Sequence, residues 1–130
     1  MLQVYGIKNC NTVKKSLNWL SDHNFEYEFF DVKKNVLSKH LINDWISKMK
    51  SNYTWINLIN KSGITWKQLS DEIKNGILTS DDAISIILNK PTIMKRPVIT
   101  KKGKLIAIGF DENLYEEEIK WVKHLILLKN

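Results

Sequence analysis

The chain has a single cysteine, Cys10, and a single arginine, Arg96, among 20 basic residues. A thiol does chemistry as its thiolate, and a thiolate forms where positive charge and unpaired N–H groups favour it. Lys8, Lys14 and Lys15 flank Cys10. By residue type alone Cys10 is either a small buried hydrophobe or a lone reactive thiol. Arg96 stands in Lys95-Arg96-Pro97-Val98, in a chain that otherwise uses lysine. Its planar fork can pair with a carboxylate, an oxyanion or a thiolate in a way that lysine cannot; the other reading is an arginine placed by chance in a solvated loop.

One cysteine excludes an internal disulfide and a zinc site built from several thiolates. His23, His40 and His124 lie far apart without ligand spacing, so no metal is expected. The formal charge of +6 comes from scattered lysines, with Lys14-Lys15, Lys33-Lys34 and Lys101-Lys102 as the longest basic runs. No basic tract of the kind that tracks a phosphate backbone is present, so direct nucleic-acid binding is not expected.

The elements that would position Cys10 and Arg96 follow from hydrophobic patterning. Leu2 to Gly6 is short, apolar and β-prone and reads as a buried strand. Ile7 to Asn11 is a loop. A helix runs from Thr12 with Val13, Leu17 and Leu20 inward, and leaves at His23-Asn24, where Asn tolerates a left-handed backbone. Phe25 to Val32 is a second strand, parallel to the first by the logic of a βαβ unit. Ser38 caps a helix whose inner face carries Leu41, Ile42, Trp45, Ile46 and Met49. Two short helices flank a Lys61-Ser62-Gly63 turn. Thr79-Ser80-Asp81-Asp82 is a capping box for a helix that must stop near Asn89, ahead of Pro91. Ile93 to Thr100 and Leu105 to Phe110 form an antiparallel hairpin, with Pro97 at the start of its strand. Asp111 caps a final helix with Leu114, Val122, Leu125 and Ile126 on its apolar side. Trp45, Trp55 and Trp66 read as packing residues.

The order β-α-β, several helices, β-β-α predicts a thioredoxin-like α/β fold: a four-stranded mixed sheet covered by helices, with a helical insertion at about 38–89. The 130 residues, 43% hydrophobic and 26% charged, make one domain with an ordinary core. No apolar run approaches the length of a membrane span, and no secretory signal opens the sequence, so a cytoplasmic location is expected. A monomer is expected. This topology puts Cys10 in the loop after the first strand and at the start of the first helix, where open α/β sheets bind ligands and a helix N-terminus favours an anion. That placement favours the reactive thiol. It also puts Pro97 opposite the thiol, where in such a sheet the proline is commonly cis, and Arg96 within reach of the pocket above Cys10.

Tyr5-Gly6-Ile7-Lys8-Asn9-Cys10-Asn11-Thr12-Val13-Lys14-Lys15 resembles the active-site segment of the arsenate reductase (ArsC)/Spx family, in particular the small ArsC-like, YffB-type branch with the pattern Y-G-I-x-N-C-D-T-V-K-K. Lys95-Arg96-Pro97-Val98 is similar to the family's R-P-[IV] segment, and Trp66-Lys67-Gln68-Leu69 also resembles that branch. The resemblance spans nearly the whole chain. It implies a catalytic cysteine matching Cys10, an anion-binding arginine matching Arg96, and use of glutathione or a related thiol system, with no bound cofactor.

The departures narrow these expectations. Glutaredoxin-linked arsenate reductases have two further arginines, and the matching stretches here, Leu58-Ile59-Asn60-Lys61 and Ile108-Gly109-Phe110, have none. Their histidine four residues before the cysteine matches Gly6. Efficient arsenate reduction is therefore not expected. The C-x-x-C switch of many Spx regulators would need a cysteine at Val13. The remaining expectation is a monothiol reductase. Cys10 is the nucleophile and Arg96 its partner. Lys8, Asn9, Asn11, Thr12 and Val13 line the anion site. Pro97 and Val98 bind the thiol substrate. The electrons come from glutathione or from a glutaredoxin- or thioredoxin-type donor. The alternative of a different class is a non-enzymatic, Spx-like partner of RNA polymerase, contacting it through the insertion.

Overall fold

The computed structural model describes residues 1–50 and 52–120. The strands are β1 (Leu2–Gly6), β2 (Tyr27–Asp31), β3 (Val98–Lys101) and β4 (Lys104–Ile108). They form one sheet in the order β2-β1-β3-β4, with β1 parallel to β2 and antiparallel to β3, and β3 antiparallel to β4. This is the mixed, thioredoxin-like sheet that the element order predicts. Tyr5 stands opposite Val98, so the end of β1 and the start of β3 are neighbours. That register brings the Cys10 loop and the Arg96-Pro97 segment to one end of the sheet.

Two apolar clusters cover the two faces. On one, Leu2 and Val4 of β1 and Ile99 of β3 pack with Trp19 and Leu20 of α1 (Asn11–Asp22) and with Tyr115. On the other, Tyr5, Val98 and Ile108 pack against the insertion, through Ile42 and Trp45 of α2 (Lys39–Ser47) and Ile84 and Ile87 of α5 (Ser80–Asn89). Strand alternation separates the two sets. Trp45 is fully buried, and Trp55 and Trp66 pack on the same cluster half-buried. Between α2 and α5 lie a 3₁₀ turn at Trp55–Leu58, α3 (Ile64–Lys67) and α4 (Asp71–Asn75).

The local signals that the residue types carry are realised. The Ser38 hydroxyl accepts from the Leu41 N–H, Thr79 and Asp82 form a reciprocal capping box, and the Asp111 carboxylate accepts from the Leu114 N–H. Asn24 takes φ 62° at the exit of α1. Lys102 and Gly103, at φ 51° and 79°, make the two-residue turn between β3 and β4.

Other expectations need correction. β2 starts at Tyr27 rather than Phe25, because the Phe25 N–H is taken by the Leu20 carbonyl as the chain leaves α1. The third strand starts at Val98 rather than Ile93. Pro91–Ile93 is instead a 3₁₀ turn, and Met94 makes an isolated antiparallel bridge to Ile59 of the insertion. α4, capped by the Ser70 hydroxyl on the Ile73 N–H, is an additional element. The final helix begins as a single α turn, α6 (Glu112–Tyr115), and continues as a π-helical stretch over Glu116–Lys120. The expected apolar positions Val122, Leu125 and Ile126 lie outside the described residues. Among the described residues no helix is long and apolar enough to cross a membrane.

A buried hydrogen-bond chain ties α1 to the segment that carries Pro97. The Tyr115 hydroxyl donates to the Gly109 carbonyl at 2.6 Å and meets Ser16 Oγ at 2.7 Å, which leaves Ser16 as the donor to it. The Gly109 N–H donates to the Pro97 carbonyl at 2.8 Å. Burial holds the Tyr115 phenol well above its usual range, so it stays a neutral donor. Tyr115→Phe leaves a buried carbonyl and a buried hydroxyl without their partner. A loss of about 1–3 kcal/mol is expected, read as a lower urea midpoint with an unchanged slope.

Candidate functional site at the start of the first helix

The site begins with a tight turn out of β1. The Cys10 N–H donates to the Ile7 carbonyl, and the Lys14 N–H donates to the Cys10 carbonyl. Cys10 thereby becomes the N-cap of α1, in an extended backbone conformation at φ −92° and ψ 124°. Gly6 makes this close approach possible. A Cβ there would lie 2.9 Å from Val13 Cγ2, a fully buried side chain on the first turn of α1. A side chain in the place of Gly6 would push the first turn of α1 away from the end of β1.

The first turn of α1 contains no acidic residue, so no side-chain carboxylate there competes for its unpaired N–H groups. The Cys10 side chain closes no capping hydrogen bond and is partly exposed. Burial alone pushes the Cys10 thiol up. The Val13 N–H, the Arg96 guanidinium (as donor and as charge) and the Thr12 N–H outweigh it, and the thiol sits below its ordinary value.

Arg96 is half-buried, with its orientation set by backbone carbonyls. Nη1 donates to the Thr92 carbonyl at 2.8 Å and, more weakly, to the Met94 carbonyl at 3.4 Å. Nε is buried and has no hydrogen-bond partner among the described residues. A buried donor without an acceptor is costly. The Arg96–Pro97 peptide bond is cis, as the thioredoxin-like topology leads one to expect. Pro97 and Val98 are buried.

The structure thus brings together Cys10, the N–H groups of Thr12 and Val13, and Arg96, with Pro97 next in the chain. Lys8, Asn9 and Asn11 are exposed on the loop and at the helix start, beside the thiol in sequence, and Lys14 and Lys15 are exposed on the helix. Sequence reasoning did not find the Thr92 carbonyl, because a main-chain acceptor leaves no mark in residue type. Among the described residues no three His, Cys, Asp or Glu side chains gather as metal ligands.

The ArsC family model matches residues 5–118, which include every one of these groups. The chain belongs to the ArsC family. An uncharacterised protein of Haemophilus influenzae is 40% identical over 116 residues, 89% of this chain and 96% of the relative. The global transcriptional regulator Spx of Staphylococcus aureus is 28% identical over 87% of this chain and 82% of its own length. Among solved structures, an ArsC-related protein of Brucella melitensis, described as arsenate reductase related, is 34% identical with a TM-score of 0.69, covering 92% of this chain and 94% of that one. A YffB protein is 29% identical with a TM-score of 0.79, covering 92% and 99%. This ArsC-family chain therefore has relatives on both sides of the division between reductase-like proteins and a transcriptional regulator.

Proposed function

We propose that the protein is a monothiol reductase of disulfides that carry glutathione. The observation that supports this reading is the Cys10 thiol at the N-cap of α1 with the Arg96 guanidinium beside it, which together favour the thiolate. The Cys10 thiolate attacks the glutathione sulfur of a mixed disulfide. A Cys10–glutathione disulfide forms, the original S–S bond breaks, and the substrate sulfur leaves with the electron pair and takes a proton. The thiolate of a second glutathione attacks the Cys10–glutathione bond, giving oxidised glutathione and free Cys10 thiolate. That second thiol must come from outside, because the chain has one cysteine. A glutaredoxin- or thioredoxin-type protein could supply it in place of glutathione. The Asn11, Thr12 and Val13 N–H groups and Arg96 hold the anionic part of the substrate, with Lys8 and Asn9 at its rim and Pro97 along its backbone; Val98 lies behind Pro97, fully buried between β1 and β4. Arsenate is not the substrate proposed, since Arg96 is the chain's only arginine.

The test is the pH dependence of Cys10 alkylation. Only the thiolate reacts, so the rate follows the thiolate fraction. The expected titration lies below the value of a free cysteine, about 8.5, and moves when glutathione is added. A slow thiol that titrates in the ordinary range and ignores glutathione would end the reductase reading.

A second reading, contact with RNA polymerase as a non-enzymatic regulator, is favoured by the similarity to Spx and by one surface feature. Apart from Met1, the exposed large apolar side chains among the described residues are Ile56, Ile64, Ile73, Leu78 and Leu88, all in the insertion. Retention of RNA polymerase by the immobilised protein, undiminished by Cys10→Ser, is the result that reading requires.

A further inference from the structure

The segment carrying Arg96 is gripped by the insertion. The Lys95 N–H donates to the Leu58 carbonyl at 2.8 Å, the Asn60 N–H donates to the Ile93 carbonyl at 2.9 Å, and Ile59 pairs with Met94. These contacts are main-chain bonds. One side-chain bond adds to them. The hydroxyls of Thr65, on α3, and Thr92, in the 3₁₀ turn, meet at 2.7 Å, partly buried and 27 residues apart in sequence. The Thr92 carbonyl is also the nearer acceptor of Arg96 Nη1.

We infer that Thr65 and Thr92 are positioning residues for the thiol site: their hydroxyl bond holds the Thr92 carbonyl in place, and that carbonyl aims the guanidinium of Arg96 at Cys10. The inference rests on the reductase reading and extends it to a residue of the insertion. Thr65 is not a catalytic residue, and it acts only through Arg96. α3 has no buried residue of its own. Its apolar anchor is Trp66, half-buried on the core cluster, and a side-chain bond counts for more there than it would in a fully buried helix. Only part of the effect of losing one hydroxyl bond reaches Arg96.

The test compares Thr65→Val, Thr92→Val and the double variant by the pH dependence of Cys10 alkylation, with Thr65→Ser as the conservative control. Each valine variant is expected to raise the midpoint and slow alkylation at neutral pH roughly twofold. The double variant should do no more than either single one, because both remove the same bond. Thr65→Ser should retain the wild-type profile. In an Arg96→Ala background Thr65→Val should change nothing. A Thr65→Val profile identical to wild type, or an unchanged effect of Thr65→Val without Arg96, overturns the inference. If Thr65→Val does not fold, Thr92→Val and the serine control decide by the same criteria. The two readings fail differently: a Cys10 midpoint that Arg96→Ala leaves unmoved removes the basis of the proposed site, whereas a midpoint moved by Arg96→Ala but not by either valine variant removes only the role of the threonine pair.

Discussion

Cys10→Ser is expected to reduce thiol–disulfide turnover to the uncatalysed background. A serine hydroxyl is not ionised near neutral pH, and oxygen cannot form the mixed disulfide through which exchange runs. No second cysteine exists to take over. The substitution is mild for the fold, since the thiol is partly exposed and closes no capping bond on α1. The assay is reduction of a glutathionylated peptide by excess glutathione, with oxidised glutathione measured as product, and unfolding curves recorded alongside. A rate in the serine variant clearly above background would remove Cys10 from the reaction. The same pair of proteins carries a second signature. The native state lowers the thiol's pKa, so ionisation favours the folded form. That stabilisation is fully present above the pKa of the unfolded thiol and is lost as pH falls through the lower, native value. The stability of wild type relative to Cys10→Ser should rise with pH across that interval and be flat below it.

The parts of this site that local chemistry dictates were readable from residue types. Leu2 to Gly6 forms its strand as patterned, and α1 starts one residue before the expected Thr12. The caps at Ser38, Thr79 and Asp111 are realised because each needs only a side-chain oxygen and an N–H three residues on. Cys10 could be placed at a helix start because the strand and the helix on either side of it were both legible. What could not be read depends on contacts between distant segments. The clamp on Arg96 uses a carbonyl, and every residue has one. The Thr65–Thr92 pair joins two hydroxyls from elements that no periodicity relates. Ile93 and Met94 look like strand residues, but Ile93 ends the 3₁₀ turn that Pro91 starts, and Met94 bridges to Ile59 instead of extending β3. α4 is a different case. Ser70-Asp71-Glu72 is a legible N-terminal signal, with the hydroxyl in capping position and acid in the first turn, but the element it starts has only five residues and no apolar periodicity to mark it.

Arg96→Lys carries the second large effect, and it separates charge from geometry. Lysine keeps the positive charge but has one donor group on a flexible stem. Arg96 does two things at once: Nη1 is held by the Thr92 and Met94 carbonyls, while the guanidinium also faces Cys10 as donor and as charge. One ammonium cannot do both. Either it binds the carbonyls and withdraws from the thiol, or it turns to the thiol and leaves the carbonyls without a donor. The first outcome raises the Cys10 pKa, and both give up the two-sided arrangement that holds an anionic substrate. A charge-assisted bond is worth roughly 1.5–3 kcal/mol, so kcat/KM should fall about tenfold or more. With the ammonium on the carbonyls, the alkylation midpoint should move toward that of a free cysteine. Arg96→Ala should lower kcat/KM further, because it removes the charge as well. If Arg96→Lys retains wild-type kcat/KM while Arg96→Ala does not, charge alone accounts for the role of Arg96, and the carbonyl clamp has no part in catalysis. If neither variant changes the rate or the midpoint, Arg96 serves the fold, and the low thiol pKa must come from the first turn of α1 alone.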